Sequence, residues 1–335
     1  MIVASVILTT CGICLFSYFV YSVGLNQIRE GIARVGFAGF AVVLLIHFTR
    51  ICARAFAWKL CVHDSHLLSI KDTIPAVMVG EAMSSSIPLG ILVSGTSKAI
   101  VVRNRIPFVA GLSSVATENL FYSLVTSIFL IAGGITLLRG FVIDESLILT
   151  INFLLAAVSI LVFLGFLMVI RQWHFASFVC SWIYDKGFFR GILEKGRQYV
   201  RRFEDLIYGF YRRYPNRFLP VCLLEAGYVI LGVCEGWYIL SRLSDAIPSL
   251  LSAFMLEAVS RFISVSFKLI PFVIGVDEAG AQFVGETIGL AAGIGVTLAI
   301  IRKLRILFWT AVGFTLIIIL AIRRGLTFRN FSKNN

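Results

Sequence analysis

Long apolar runs alternate along this chain with short polar links. Val3 to Val23 is the first run, and Leu147 to Ile170 and Ile306 to Ile322 are further ones. Phe37 to Cys61, Ile106 to Leu138 and Phe218 to Leu240 repeat the pattern. Roughly 20 residues of helix cross the hydrocarbon core of a bilayer, so the pattern predicts an all-α, polytopic transmembrane helix bundle. Two apolar segments depart from it. Ile74 to Val102 carries Glu81, the run Ser84–Ser85–Ser86, Pro88, Gly90, Gly95 and Lys98, and Ile247 to Leu290 is broken by Pro271. Both are predicted to be interrupted, re-entrant-like helical segments.

The order of these runs divides a single membrane domain, 1–335, into a first half 1–170, a connector 171–217, a second half 218–322 and a short tail 323–335. Within the connector, Tyr199, Phe203, Leu206, Ile207, Phe210 and Tyr214 recur at helical spacing. Most of the arginines lie away from that stripe. Such a basic amphipathic helix either lies on the membrane surface or packs on its own protein. Arg302–Lys303–Leu304–Arg305 reads as a basic turn between two apolar segments. Arg50 and Arg54, four apart inside an apolar run, are predicted to face the protein interior or an interface, because lipid-exposed guanidiniums are costly.

Composition agrees: 59% of residues are hydrophobic and 14% charged, against about half and a quarter in soluble domains. The formal charge of +12 does not point to nucleic acid. Ten Lys/Arg against four Asp/Glu between Arg171 and Arg217, with Arg323, Arg324, Arg329 and Lys333 in the tail, account for most of it. Basic residues beside spanning helices mark cytoplasmic loops. The expected location is therefore the cytoplasmic (inner) membrane, multi-pass. The start of the chain lacks a basic n-region, so the first helix is expected to be retained rather than cleaved. Cys11 and Cys14 have the spacing of half a zinc site, but no second pair completes it. No metal and no cofactor is expected.

Candidate chemistry concentrates in the broken segments. Pro88 precedes Gly95–Thr96–Ser97–Lys98, and Pro271 precedes Gly275–Val276–Asp277–Glu278. The two read as an internal repeat, with Pro88, Gly95, Pro271 and Gly275 as helix breaks. Interrupted helices in corresponding halves point to a transporter-type site. The expected substrate-binding residues are Glu81, Ser97, Lys98 and Glu118 from the first half, with Arg261, Lys268, Asp277 and Glu278 from the second. Lys98, Arg261 and Lys268 suit a phosphate, and the acids suit an amine or orient the cations. Glu257 and Arg261 can pair within one helix. Ala281, Gly285, Gly289 and Gly293, spaced by four, predict close helix contact.

The second function class is an intramembrane lipid-headgroup or glycosyl transferase, for which His63–Asp64–Ser65–His66 is the candidate cluster and Asp277–Glu278 a candidate acid and base. A noncatalytic partner in a cell-envelope assembly is the third. A lipid translocase, not an enzyme, is the leading reading. Its partner would be a membrane phospholipid or other polar lipid, and a homo-oligomer is compatible with it. With no ATP-binding loop in the sequence, a gradient or downhill flow would drive it.

Pro271, Gly275 and Glu278, followed by a small-residue helix, resemble the C-terminal motif of the lysylphosphatidylglycerol synthase transmembrane, or flippase-like, family. Pro88 to Lys98 with Glu118–Asn119 looks like that family's first-half pattern. Asp277 stands where the family often has a basic residue, and Pro88–Leu89–Gly90 replaces a frequent Pro-Gly pair. The resemblance implies lipid handling in the cytoplasmic membrane. Some members add a soluble aminoacyl-transfer domain, which the short tail here leads us not to expect.

Overall fold

The computed structural model describes residues 2–63, 68–87, 90–140, 145–186, 190–245, 247–267, 270–291 and 293–333. Among them all regular structure is helical. The first half holds α1 (Ile2–Val23), α2 (Leu25–Cys61), α3 (Ile70–Ser86), α4 (Gly90–Val101), α5 (Phe108–Gly140) and α6 (Glu145–Arg171). The connector forms α7 (Phe175–Asp185) and α8 (Arg190–Arg213). The second half holds α9 (Phe218–Leu243), α10 (Leu250–Ser266), α11 (Val276–Thr287) and α12 (Ile294–Lys333). Among the described residues, the stretches within α2, α5, α9 and α12 are long and apolar enough to cross a membrane. The all-α polytopic bundle is what the hydropathy pattern predicts.

Two boundaries differ from the sequence reading. The polar link before Phe37 is itself helical and joins α2 through a kink at Gly36, whose φ of 64° glycine adopts without steric cost. The supposed basic turn at Arg302–Arg305 lies inside the uninterrupted α12. A cluster of three cations imitates a loop in sequence. Here acids on other helices neutralise it, so the helix continues.

The broken segments are shorter than a bilayer crossing. At about 1.5 Å per residue, neither the 17 residues of α3 nor the 12 of α4 span the hydrocarbon core alone. Their counterparts have the same lengths: α10 has 17 residues and α11 has 12. The next long helix also begins at the same interval, Val101 to Phe108 in one half and Thr287 to Ile294 in the other. Only the break differs. It runs from Ser86 to Gly90 in the first half and from Ser266 to Val276 in the second, where it includes a 3₁₀ turn at Pro271–Val273. Proline removes a donor and obstructs the preceding turn; Phe272, Val273 and Gly275 then take φ of 54°, 50° and 84°. This register corrects the repeat as read from the motifs. Gly275 caps α11, whereas Gly95 lies buried within α4 and breaks nothing. Pro88 lies outside the described residues.

By its contacts the chain divides into two compact units. The first comprises Met1–Ile51, Ile74–Lys98 and Glu235–Asn335; the second comprises Cys52–Thr73 and Ala99–Cys234. In the first unit α11 packs on α10, α12 and α1. Small residues allow the approach: a Cβ on Gly295 would lie 2.2 Å from the Ala281 carbonyl oxygen, and one on Gly313 would lie 2.8 Å from that of Met78. Ala281 and Gly285 thus serve close contact as their spacing predicts. Gly289 and Gly293 instead lie outside the helices, at φ of 74° and 82°.

In the second unit α5 packs against α6 and α8, and α8 against α7. Phe210 of α8 joins Ala57, Cys61, Phe121 and Val221 in a buried cluster. The connector helix therefore packs on its own protein along Ile207, Tyr208 and Phe210, while Tyr199, Arg201, Arg202, Arg212 and Arg213 stay exposed. The Tyr208 hydroxyl donates to the Trp173 carbonyl at 2.6 Å. Burial, with Glu204 nearby, raises its pKa, which keeps it a donor. His63 is occupied in the same way, its Nε2 3.1 Å from the Leu206 carbonyl and its ring against Phe210 and Tyr214. Asp64, Ser65 and His66 lie outside the described residues.

Candidate functional site

The first unit collects charge where lipid-facing helices cannot hold it. Arg50 of α2 donates to Glu235 of α9 at 3.0 Å, and Arg305 of α12 donates to the other oxygen of the same carboxylate. Glu257 of α10 receives Arg302 at 2.8 Å, Arg261 at 2.9 Å and Arg50 at 3.5 Å. All six side chains are buried. A charge at the bilayer centre costs about 3 kcal/mol on insertion scales. Guanidiniums offset this cost best in such a place, since their planar forks bind carboxylates with several donors at once. Gly236 makes room for one of them: a Cβ there would lie 2.8 Å from Arg302 Nη2.

The family-like motif sits beside this network. Gly275 donates its N–H to Glu278 Oε2 at 2.8 Å, and Lys303 Nζ lies 2.5 Å from Oε1. A carboxylate at the third position of a helix complements its N-terminal dipole. Asp277 points elsewhere and accepts from the Ser260 hydroxyl at 2.7 Å. Adjacent helical residues diverge in this way, so the two acids do not form a facing pair.

The expected residues are thus placed as follows. Arg261, Asp277 and Glu278 lie on α10 and α11, in or beside the network. Glu81 of α3 faces His47 at 3.5 Å, again in the first unit. Lys98 is buried on α4, its stem against Gly80, and Ser97 is half-buried next to it. Lys268 lies outside the described residues. Glu118 belongs to the second unit, where its Oε1 accepts from Arg54 Nε at 3.0 Å and Nη2 at 2.8 Å. That guanidinium lies over the rings of Tyr122 and Tyr228, 4.7 and 5.5 Å from their centroids, a caged cation.

Six members of the first-unit site are not among the expected residues: Arg50, Glu235, Glu257, Arg302, Lys303 and Arg305. Each is a charge inside an apolar run, and that signal was available for Arg50, Glu235 and Glu257. The α12 cations were concealed by reading them as a turn.

The repeat register gives these charges an order. Glu81 and Arg261 are each the twelfth residue of their helix, α3 and α10. Arg54 joins α2 to α5 through Glu118, and Glu235 joins α9 to α12 through Arg305. The sign is reversed in each case; the position is the same for Glu81 and Arg261 and shifted by one residue for the two ion pairs.

A cavity of about 540 Å³ opens between the ends of α2, α9, α10 and α12, lined among others by Gln27, Arg34, Ser249, Ser252 and Thr297. Ser252 and Thr297 stand five residues before Glu257 and Arg302, so the cavity and the network draw on the same two helices, α10 and α12.

The model of the lysylphosphatidylglycerol synthase TM region matches residues 1–313. The chain belongs to that family. Nothing among curated proteins or solved structures matches it. Membership makes the protein a multi-pass membrane protein of a lipid-handling family.

Proposed function

We propose that the protein translocates a polar lipid across the cytoplasmic membrane, acting as a transporter and not as an enzyme. The observation that carries this reading is the buried ionic network on helices that also line a polar cavity, flanked by a helix broken at Pro271. A headgroup must leave water on one side, cross the apolar core and re-enter water. Charged groups buried in a broken-helix region replace part of its hydration on the way. The repeated helix pairs, equal in length and opposite in charge at Glu81 and Arg261, suit a carrier that exposes its site alternately to the two sides. The family supports lipid as the cargo. The basic connector supports the cytoplasmic membrane, with α8 on the cytoplasmic side.

Reconstitution into liposomes with labelled lipids and a leaflet-specific quencher tests the proposal. Wild-type protein should move at least one polar lipid between leaflets, and Glu278→Gln should abolish that movement while inserting normally. Equal flip rates with and without protein, across a panel of headgroups, would reject it.

A further inference from the structure

We infer that the arginines of the first-unit network bind the phosphate of an anionic lipid, one whose headgroup carries no amine to balance that phosphate. This rests on the translocation reading above and names the headgroup chemistry for its site. Four guanidiniums, Arg50, Arg261, Arg302 and Arg305, share two carboxylates, Glu235 and Glu257. The network alone has a surplus of two positive charges. Widening the count to Lys98, Lys303, Glu81, Asp277 and Glu278 still leaves the unit's interior cationic.

A second observation points the same way. The Nε groups of Arg302 and Arg305 are buried without a hydrogen-bond partner, on residues 4% and 7% exposed. A buried guanidinium with an unused donor is costly, the more so where four of them share two carboxylates. A phosphate removes both costs, because its oxygens accept from several donors of the guanidinium fork and its charge answers the surplus. An amine-bearing headgroup would bring back the positive charge that the site already has in excess. The cavity on the same helices supplies a polar approach, with Ser249, Ser252 and Thr297 among its walls beside Glu30 and the Arg34–Asp245 pair.

The test is lipid binding to purified full-length protein in detergent, read by native mass spectrometry and by thermal stabilisation. The panel is phosphatidate, phosphatidylglycerol, phosphatidylethanolamine, an aminoacylated phosphatidylglycerol, diacylglycerol and inorganic phosphate. Phosphatidate and phosphatidylglycerol should bind about tenfold or more tighter than the others, the scale of one charge-assisted hydrogen bond. Arg302→Gln leaves Glu257 with Arg50 and Arg261 as partners, but lowers the surplus by one and should weaken anionic-lipid binding about tenfold. Adding Glu257→Gln restores the surplus and should recover most of the loss, which a purely structural ion pair would not do.

Equal binding of diacylglycerol or of the amine-bearing lipids would overturn the inference. So would unchanged binding by Arg302→Gln, or a double variant as weak as the single one. Inorganic phosphate binding as tightly as the lipids would overturn the lipid source. The wild-type panel decides the matter even where a variant fails to accumulate. Flipping without any phosphate preference sinks this inference and leaves translocation standing; phosphate-selective binding without flipping does the reverse.

Discussion

Lys303 Nζ lies 2.5 Å from Glu278 Oε1, while Oε2 of that carboxylate accepts the N–H of Gly275. One side chain thus closes the end of the broken helix and fastens it to α12. Glu278 is fully buried and Lys303 nearly so. Replacing Glu278 with Gln strands a cation, and breaking a buried pair costs about 3–5 kcal/mol. Glu278→Gln should therefore lower the thermal stability of the purified protein as well as stop lipid movement. Glu278→Gln with Lys303→Gln removes both charges and should regain most of the stability. Transport still absent in a double variant of restored stability would make Glu278 part of the transport machinery; transport restored with stability would reduce it to a fastening.

The Arg54–Glu118 pair makes a parallel prediction in the second unit. Arg54→Gln leaves the fully buried Glu118 without its guanidinium and removes the cation between Tyr122 and Tyr228. The expected loss is about 3–5 kcal/mol. In a double-mutant cycle with Glu118→Gln, the pair should show favourable coupling. Additive losses would mean that the contact contributes nothing beyond its separate residues.

Topology can be read by labelling. α9 is an unbroken span, so Arg212 before it and Asp245 after it should lie on opposite sides of the membrane. Single cysteines at both positions, challenged in intact cells with an impermeant reagent, should label at 245 and not at 212. Labelling at 212 from outside would reverse the orientation assigned to the connector.

Packing of the connector helix predicts a contrast within one face. Phe210 is 1% exposed and Tyr199 is 58% exposed, although both belong to the same apolar stripe. Phe210→Ala should destabilise the protein by about 3–5 kcal/mol. Tyr199→Ala should stay within about 0.5 kcal/mol. Thermal unfolding in detergent distinguishes them, and equal shifts would mean that α8 is not held as described.

The sequence by itself determined that this chain is a membrane-spanning helix bundle, because runs of some 20 apolar residues have no other stable home. It also located the helix break at Pro271 and Gly275, since these residues act locally and impose their geometry on any surrounding structure. The tertiary structure alone decided which charges belong together. Arg302, Lys303 and Arg305 read as a turn until Glu257, Glu278 and Glu235 are seen beside them, because a helix tolerates buried cations only when other segments bring the anions. Glu118 looked like a companion of Lys98 on the strength of shared polarity in one half, yet its guanidinium comes from Arg54, sixty-four residues earlier. Hydropathy and proline are properties of adjacent residues and can be read along the chain. Charge pairing across helices depends on register and distance in space, and only the folded protein sets those.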